Sequence, residues 1–527
     1  MISYSALFLV ALLLNNASRR TLAIVPIPTL YTIAPTACNL VHTLTYEHNY
    51  PACIILTDSL TRFRLRLASH HPPIPQKSKD KCSINKLRIE IMDGCDENSN
   101  KLWPSHTMNE SYNVNISDTE ISISSKEVWG TLRALETVLQ MVYKDEFGGN
   151  MIFKGSVEDA PLFLHRGMLL DTGRNFMPVE TLQKMIDIMA MVKMNVFHWH
   201  ITDDESFPFV STTYPELSDK GAYHPQKYTY DEEEVSDLLE YARLRGVRII
   251  PEFDTPAHTL SWGKAYPDLL TKCYEDAKPT GLLGSLNPAN DSTFKFLKNL
   301  FTEATSRFHD KYIHLGGNQI NFACWARNPE VVELMKKMKF PGHYTQIGNY
   351  YASKVVETVK SIADSKVAIT PILYHEVLDY GFQGDGNTVI HVWEGLYWEE
   401  YTKTATGKKF NVIVSGDWDL SDFDNGYDWT EYYEQDIREF GGSDEQASLV
   451  IGGEAILWGT SVDETNVITL AWPRGAAVAE RLWSQDPDTN EEFSQRIGEL
   501  RCRMLYNNIE AHPVNGPGFC PTKILRT

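Results

Sequence analysis

Three observations predict an α/β chain whose larger part is a (β/α)8 TIM barrel, preceded by a small α+β N-terminal domain. Apolar strand candidates alternate with helices after Leu164, eight such strands are found by Trp458, and polar side chains gather at their C-terminal ends. The first two are the pattern of a parallel sheet wrapped by helices, and the third marks the face where such barrels place their sites.

Taken in order, residues 1–23 read as a secretory signal. The apolar run from Tyr4 to Leu14 stands where a signal would and is too short to span a bilayer. Residues 24–160 are expected to form the α+β domain. Leu87-Arg88-Ile89-Glu90-Ile91 and the stretch Tyr112 to Ile123 read as strands, and Lys126 to Tyr143 reads as a helix with Val128, Leu132, Leu135, Val138, Leu139 and Val142 on one face. Residues 161–527 are assigned to the barrel. Its strands are expected at Met168 to Asp171, Asn195 to Ile201, Val247 to Asp254, Tyr312 to Gly317, Lys366 to Tyr374, Thr388 to Trp393, Asn411 to Ser415 and Leu449 to Trp458. Val179 to Met194 reads as the first helix of the barrel. A later helix is expected to open at Thr229 and Glu232, which have capping-box spacing, and to stop at Gly246.

The chain has 527 residues, 43% hydrophobic and 22% charged, with a net charge of -20. That charge repels nucleic acids and anionic membranes, so neither is an expected partner. No later segment is apolar for long enough to span a membrane. Eight cysteines at 38, 53, 82, 95, 273, 324, 502 and 520 suit four disulfides in an oxidising compartment, and Asn109, Asn115 and Asn290 each begin an Asn-x-Ser sequon. These point to the secretory pathway.

The strand ends describe a site on their own. Asp171 and Arg174, His198 and His200, Asp203 and Asp204, Asp254 and His258, Asn318 and Gln319, Tyr374, Trp393, Asp417 to Asp422, and Trp458 fall at one end of successive strands. Aromatic walls with a few polar groups suit a pyranose, which offers apolar faces and hydroxyl edges. His198 and His200 also share a strand face, as zinc ligands would. The alternative, side chains buried for hydrogen bonding, is preferred, and no metal or cofactor is expected. Gly316-Gly317 reads as a strand-end turn rather than a phosphate loop, since no Lys-Ser or Lys-Thr follows.

Long motifs carry a resemblance: Arg166 to Arg174 (RGMLLDTGR), Lys193 to Asp204 (KMNVFHWHITDD), Glu252 to Trp262 (EFDTPAHTLSW), Trp472-Pro473-Arg474 and Ala479 to Trp483 (AERLW). Together they resemble glycoside hydrolase family 20, the lysosomal and secreted β-N-acetylhexosaminidases of animals, over nearly the whole chain after the signal. The resemblance implies disulfides Cys53–Cys95, Cys273–Cys324 and Cys502–Cys520, leaving Cys38 and Cys82 as a pair. It implies substrate-assisted cleavage of terminal N-acetylglucosamine or N-acetylgalactosamine, with an Asp steadying the oxazolinium intermediate and an adjacent Glu donating the proton. Those positions are Asn318 and Gln319 here, which have the shape of the acids but no titratable proton.

By the same resemblance Arg174 clamps sugar hydroxyls, Asp203, Asp254 and His258 support the site, and Trp393 and Trp458 wall it. Tyr374 replaces a Trp, Asp419 replaces the Tyr that holds the acetamido oxygen, Ser421 and Asp422 replace an Asn-Arg pair, and Thr460 replaces a Glu that holds hydroxyls. The resulting expectation is a silent or strongly impaired homologue binding N-acetylhexosamine-terminated glycans. The alternatives are an active or altered hydrolase using Asp419, Asp422 or Glu205, and a silent subunit in a homodimer or in a heterodimer with an active paralogue.

Overall fold

The computed structural model describes residues 23–69, 82–97, 101–145, 149–362, 368–422, 427–516 and 519–520. Apart from Ala23, the expected signal segment lies outside the described residues. The N-terminal part is a six-stranded sheet of β1 (Leu30–His48), β2 (Ser83–Ile91), β3 (Tyr112–Ile116), β4 (Glu120–Ser125), β5 (Tyr143–Lys144) and β6 (Asn150–Asp159), in the order β1-β2-β4-β3-β6-β5. β1 also pairs antiparallel with β6 through Leu30 to Asn39. Alternate residues of β2, β3 and β4 turn inward, and Leu87, Ile89, Val114 and Ile123 share one core with Val128, Leu132, Leu135 and Leu139 of the helix Val128–Met141.

Two elements of this domain escape the sequence reading. β1 contains Pro35, which falls where its register with β6 shifts between Ile33 and Ala37. Helix Ile54–Ser69 carries the run Arg62-Phe63-Arg64-Leu65-Arg66-Leu67, which alternates with the period of a strand yet packs as a helix against Val128–Met141.

The barrel closes as expected. Its parallel strands are β7 (His165–Asp171), β8 (Val196–Thr202) and β9 (Arg248–Thr255). After an excursion through the hairpin β10 (Leu270–Glu275) and β11 (Lys278–Leu286) come β12 (Tyr312–Gly316), β13 (Thr370–Tyr374), β14 (Val389–Val392), β15 (Asn411–Val414) and β16 (Val450–Leu457). β16 pairs with β7 to complete the ring. The hairpin was not expected. It is tied by Cys273–Cys324 to the helix Phe322–Arg327 that follows β12. The remaining disulfides are Cys38–Cys82, Cys53–Cys95 and Cys502–Cys520.

Helix boundaries differ by a few residues. The helix expected to end at Met194 ends at Met191, before Lys193 at φ +62°. The capping box belongs to Asp231 and Glu234, two residues beyond Thr229 and Glu232, with Asp231 accepting from Glu234 N at 2.9 Å. Both pairs have the required spacing, and the carboxylate at the true N-cap adds favourable charge to the first turn.

The barrel is filled in layers. Val196, Ile250, Tyr312, Ile372, Val389 and Ile413 form an apolar floor. Two residues further along these strands lies a polar layer that includes His198, Glu252, His314, Tyr374 and His391, joined by Glu454 of β16. The mouth lies above it.

Buried charges join the two domains. Arg166 of β7 donates to both oxygens of Glu110 at 2.7 Å, and Arg133 donates to the same carboxylate at 2.8 Å. Lys193 pairs with Asp159 of β6 at 2.9 Å, and Trp483 donates to it at 3.0 Å. Burial raises the pKa of Glu110, but Arg166 and Arg133 outweigh it and hold the carboxyl below its usual range.

Candidate active site

The C-terminal strand ends bring the predicted residues together. Asp171, at the end of β7, accepts from the backbone N–H groups of Gly173, Arg174 and Gly459. Its Oδ2 also receives Arg174 Nη1 at 2.7 Å. The other arm of Arg174 reaches Asp203 Oδ2 at 2.9 Å, and its guanidinium carbon stands 5.4 Å from the centre of the Trp458 ring. Two carboxylates thus fix a planar cation against an aromatic face, a geometry Lys would not reproduce.

Asp203 is shared with His200 Nε2 and His258 Nδ1, each 3.0 Å away. Burial works to raise the Asp203 pKa, but the hydrogen bonds from His200 and His258 prevail and hold it well below the carboxylate range. Burial likewise opposes charge on His258, yet Asp254 and Asp203 push its pKa up to about 9. His258 therefore carries a proton at neutral pH. Its Nε2, and Trp458 Nε1, are buried without a hydrogen-bond partner among the described residues.

Asn318 and Gln319 follow β12 on a turn built by glycine. At Gly316, φ is +76° and a Cβ would lie 1.6 Å from Asp254 Oδ1, so only glycine fits. Gly317 N donates to that oxygen at 3.2 Å. Asn318 is 3% exposed. In the orientation that satisfies its neighbours, its NH2 donates to Asp254 Oδ2 at 2.7 Å and Oδ1 at 3.2 Å. Burial raises the Asp254 pKa well above its usual value, helped by Glu252 and Asp203 and opposed by His258 and His200. Gln319 is exposed at φ +48°, and its carboxamide makes no hydrogen bond among the described residues. A non-glycine residue in this region is held by its surroundings at a cost of about 1–2 kcal/mol.

The aromatic wall is Trp393 against Trp458, edge to face with ring centres 5.7 Å apart. Trp393 Nε1 donates to Glu376 at 3.1 Å, and burial pushes the Glu376 pKa up to about 7. Tyr374 is wholly buried and donates its hydroxyl downward to Glu252 Oε2 at 3.0 Å. Asp419 accepts from Ser421 N at 2.9 Å and Oγ at 2.5 Å, and Ser421 Oγ in turn receives Trp458 N at 2.7 Å. Partial desolvation raises the Asp419 pKa.

His198 is not part of the mouth. It lies in the polar layer, 2.7 Å from Glu454 Oε2 and 3.1 Å from Glu252 Oε2. Its burial favours the neutral form, but Glu454 and Glu252 push its pKa up to about 9. His200 is raised further by Glu252 and Asp203 against burial. His165, His314 and His391 are lowered by burial and stay neutral. Two imidazolium rings therefore face the carboxylates of Glu252 and Glu454, both of which are held well below their usual range despite burial. Sequence reasoning missed Glu252, His314, His391 and Glu454 as one cluster, and Glu376 beside Trp393. Part of a signal was present: on β8, β9 and β14 a polar residue, His198, Glu252 or His391, stands two positions before His200, Asp254 or Trp393 at the mouth.

As a whole the mouth offers a fixed cation, a protonated imidazole, an amide and two indoles, with the exposed Gln319 next to Asn318. The sequence profile of the glycosyl hydrolase family 20 catalytic domain matches residues 163–486, and a profile described as beta-acetyl hexosaminidase like matches residues 24–141. Mouse beta-hexosaminidase subunit beta is 39% identical over 475 residues, covering 89% of this chain and 86% of that protein. Bovine beta-hexosaminidase subunit alpha is 38% identical over 483 residues, covering 90% and 89%. Among solved structures, Flavobacterium johnsoniae chitobiase superposes with a TM-score of 0.79 at 24% identity, over 94% of this chain and 74% of that one. A Vibrio harveyi exo-β-N-acetylglucosaminidase in complex with N-acetylglucosamine gives 0.77 at 20% identity, over 93% and 78%. From the profile match and the identity across both domains, the chain belongs to glycosyl hydrolase family 20.

Proposed function

We propose that this chain is a silent or strongly impaired β-N-acetylhexosaminidase homologue that binds glycans ending in N-acetylglucosamine or N-acetylgalactosamine. The observation that carries the reading is the exposed Gln319 beside Asn318, which by resemblance to the family stands in the place of a proton donor. A carboxamide donates a hydrogen bond but transfers no proton usefully near neutral pH. Loss of a general acid typically costs about 10²–10⁴ in rate. Asn318 keeps a polar contact for an acetamido group but not the full charge that would stabilise a developing cation, which removes roughly another 10²–10³.

Binding is supported by what remains. Arg174 is set to donate to hydroxyls, Trp393 and Trp458 offer apolar faces, Trp458 Nε1 has no hydrogen-bond partner among the described residues, and His258 Nε2 has only a long ion pair to Asp254 Oδ2 at 3.9 Å. The four disulfides suit an oxidising compartment, in keeping with the lysosome or the extracellular space. A second reading, a silent subunit of a dimer, is favoured by one fact: the relatives are named as alpha and beta subunits.

The test is hydrolysis of a chromogenic N-acetylglucosaminide by protein made in a host without hexosaminidase. Turnover at least about a thousandfold below an active relative assayed alongside is expected. Turnover within tenfold of that relative would overturn the impairment and leave an active hydrolase.

A further inference from the structure

A second cavity, of about 500 Å³, opens one residue along the chain from Arg174. Its walls are the loop after β7, the segment holding Tyr223 and Tyr228, and the loop after Gly459. It shares its frame with the mouth. Tyr223 Oη donates to Arg174 O at 2.6 Å, and Asn175 Nδ2 donates to Gly459 O at 2.6 Å and Val462 O at 3.2 Å.

Its volume lies within the ~300–1,000 Å³ of ordinary ligand pockets. Two aromatic side chains present surface to it, Tyr223 at 51% and Tyr228 at 47% exposure. Tyr228 is braced by Phe176 at 5.4 Å between ring centres, and Phe176 stacks on Tyr230 at 4.8 Å, so the aromatic wall is rigid. Glu180, Lys227 and Glu464 also line the cavity, and none of their side chains has a hydrogen bond or ion pair among the described residues. Donor and acceptor groups are thus available without breaking an internal contact. Half-exposed aromatic faces ringed by uncommitted acceptors and a donor match the apolar faces and hydroxyl edges of a sugar.

We propose that this cavity is a second saccharide-binding site, which holds another sugar of a glycan whose end occupies the mouth. For the class of ligand, the inference rests on the glycan reading above. Two linked contacts on one glycan raise affinity through effective concentration without new chemistry, as suits a protein that holds rather than cuts.

The experiment is calorimetry with N-acetylglucosamine and its β-linked tetramer on the wild type, Tyr228→Ala and Tyr228→Phe. The tetramer should bind about tenfold more tightly than the monosaccharide. That gain should vanish in Tyr228→Ala, survive in Tyr228→Phe, which keeps the aromatic face, and leave monosaccharide affinity unchanged in both. A tetramer no tighter than the monosaccharide, or a gain that survives Tyr228→Ala, overturns the second site while the mouth reading stands. Tetramer binding that depends on Tyr228 without any monosaccharide binding overturns the mouth reading and keeps the second site. If neither sugar binds, both fail.

Discussion

Placing an acid at position 318 should make folding stability more dependent on pH than it is in the wild type. In Asn318→Asp, an amide that donates to Asp254 across 2.7 Å is replaced by a second carboxylate at the same distance. Two full charges so placed repel by about 6 kcal/mol at an effective dielectric of 20, equivalent to about four pK units. The pair must therefore keep a proton well above the usual carboxylate range. A carboxyl whose folded pKa is raised contributes stability that is complete below its unfolded value near 4 and is lost as pH rises toward the folded value. The wild type carries this slope for Asp254 alone, whose pKa is already raised. The variant carries it for one carboxyl more. Urea unfolding at pH 4.5, 6 and 7.5 measures the difference. The stability gap between the two proteins should widen by up to about 1.4 kcal/mol per pH unit, or about 4 kcal/mol across that range. A gap that stays constant would refute the argument, showing that the two side chains do not share a proton.

Combining Asn318→Asp with Gln319→Glu should recover little hydrolysis, staying at least about a hundredfold below an active relative. On the proposed reading Asp419, Asp422 and Thr460 would leave the sugar poorly positioned, and full recovery in the chromogenic assay would show the pocket intact. Trp458→Ala should weaken N-acetylhexosamine binding about tenfold by calorimetry, whereas Gln319→Glu should change it less than about twofold. No wild-type binding at millimolar sugar would leave the silent-subunit reading. Gly316→Ala should cost at least about 3 kcal/mol, because its Cβ would meet Asp254 Oδ1 at 1.6 Å and φ is +76°; a melting temperature within a degree of wild type would contradict this. His198 and His258, each raised from 6.5 to about 9, contribute stability that is full below pH 6.5 and lost as pH rises through 9. Thermal melts should therefore fall between pH 7 and pH 9.5, by up to about 3 kcal/mol for each ring, and a flat profile would count against both charges.

The barrel was legible because its strands and helices repeat with periods that side-chain burial enforces, and all eight strands fall where apolar runs place them. The mouth was legible through motifs such as His200 to Asp204, whose residues gather at one strand end. The N-terminal helix Ile54–Ser69 was not, because its arginines alternate with apolar residues like a strand and only tertiary packing makes it helical. The ionic layer below the mouth was hidden for another reason. Glu252 and Glu454 lie on strands separated by about 200 residues, and nothing local reveals that His198 stands between them. The bond from Trp393 to Glu376 likewise depends on two neighbouring strands meeting at their ends.

The charges buried between the sheet and the barrel have a consequence for how the molecule can be divided. A barrel cut away at residue 160 would keep Arg166 and Lys193 but lose Glu110 and Asp159, giving up both buried ion pairs and exposing to water the face where Trp483 packs into the core of the sheet domain. Neither half is therefore a free-standing module. The full chain should melt in a single cooperative transition, and a lesion in the distal sheet should be felt as lost yield of the whole protein.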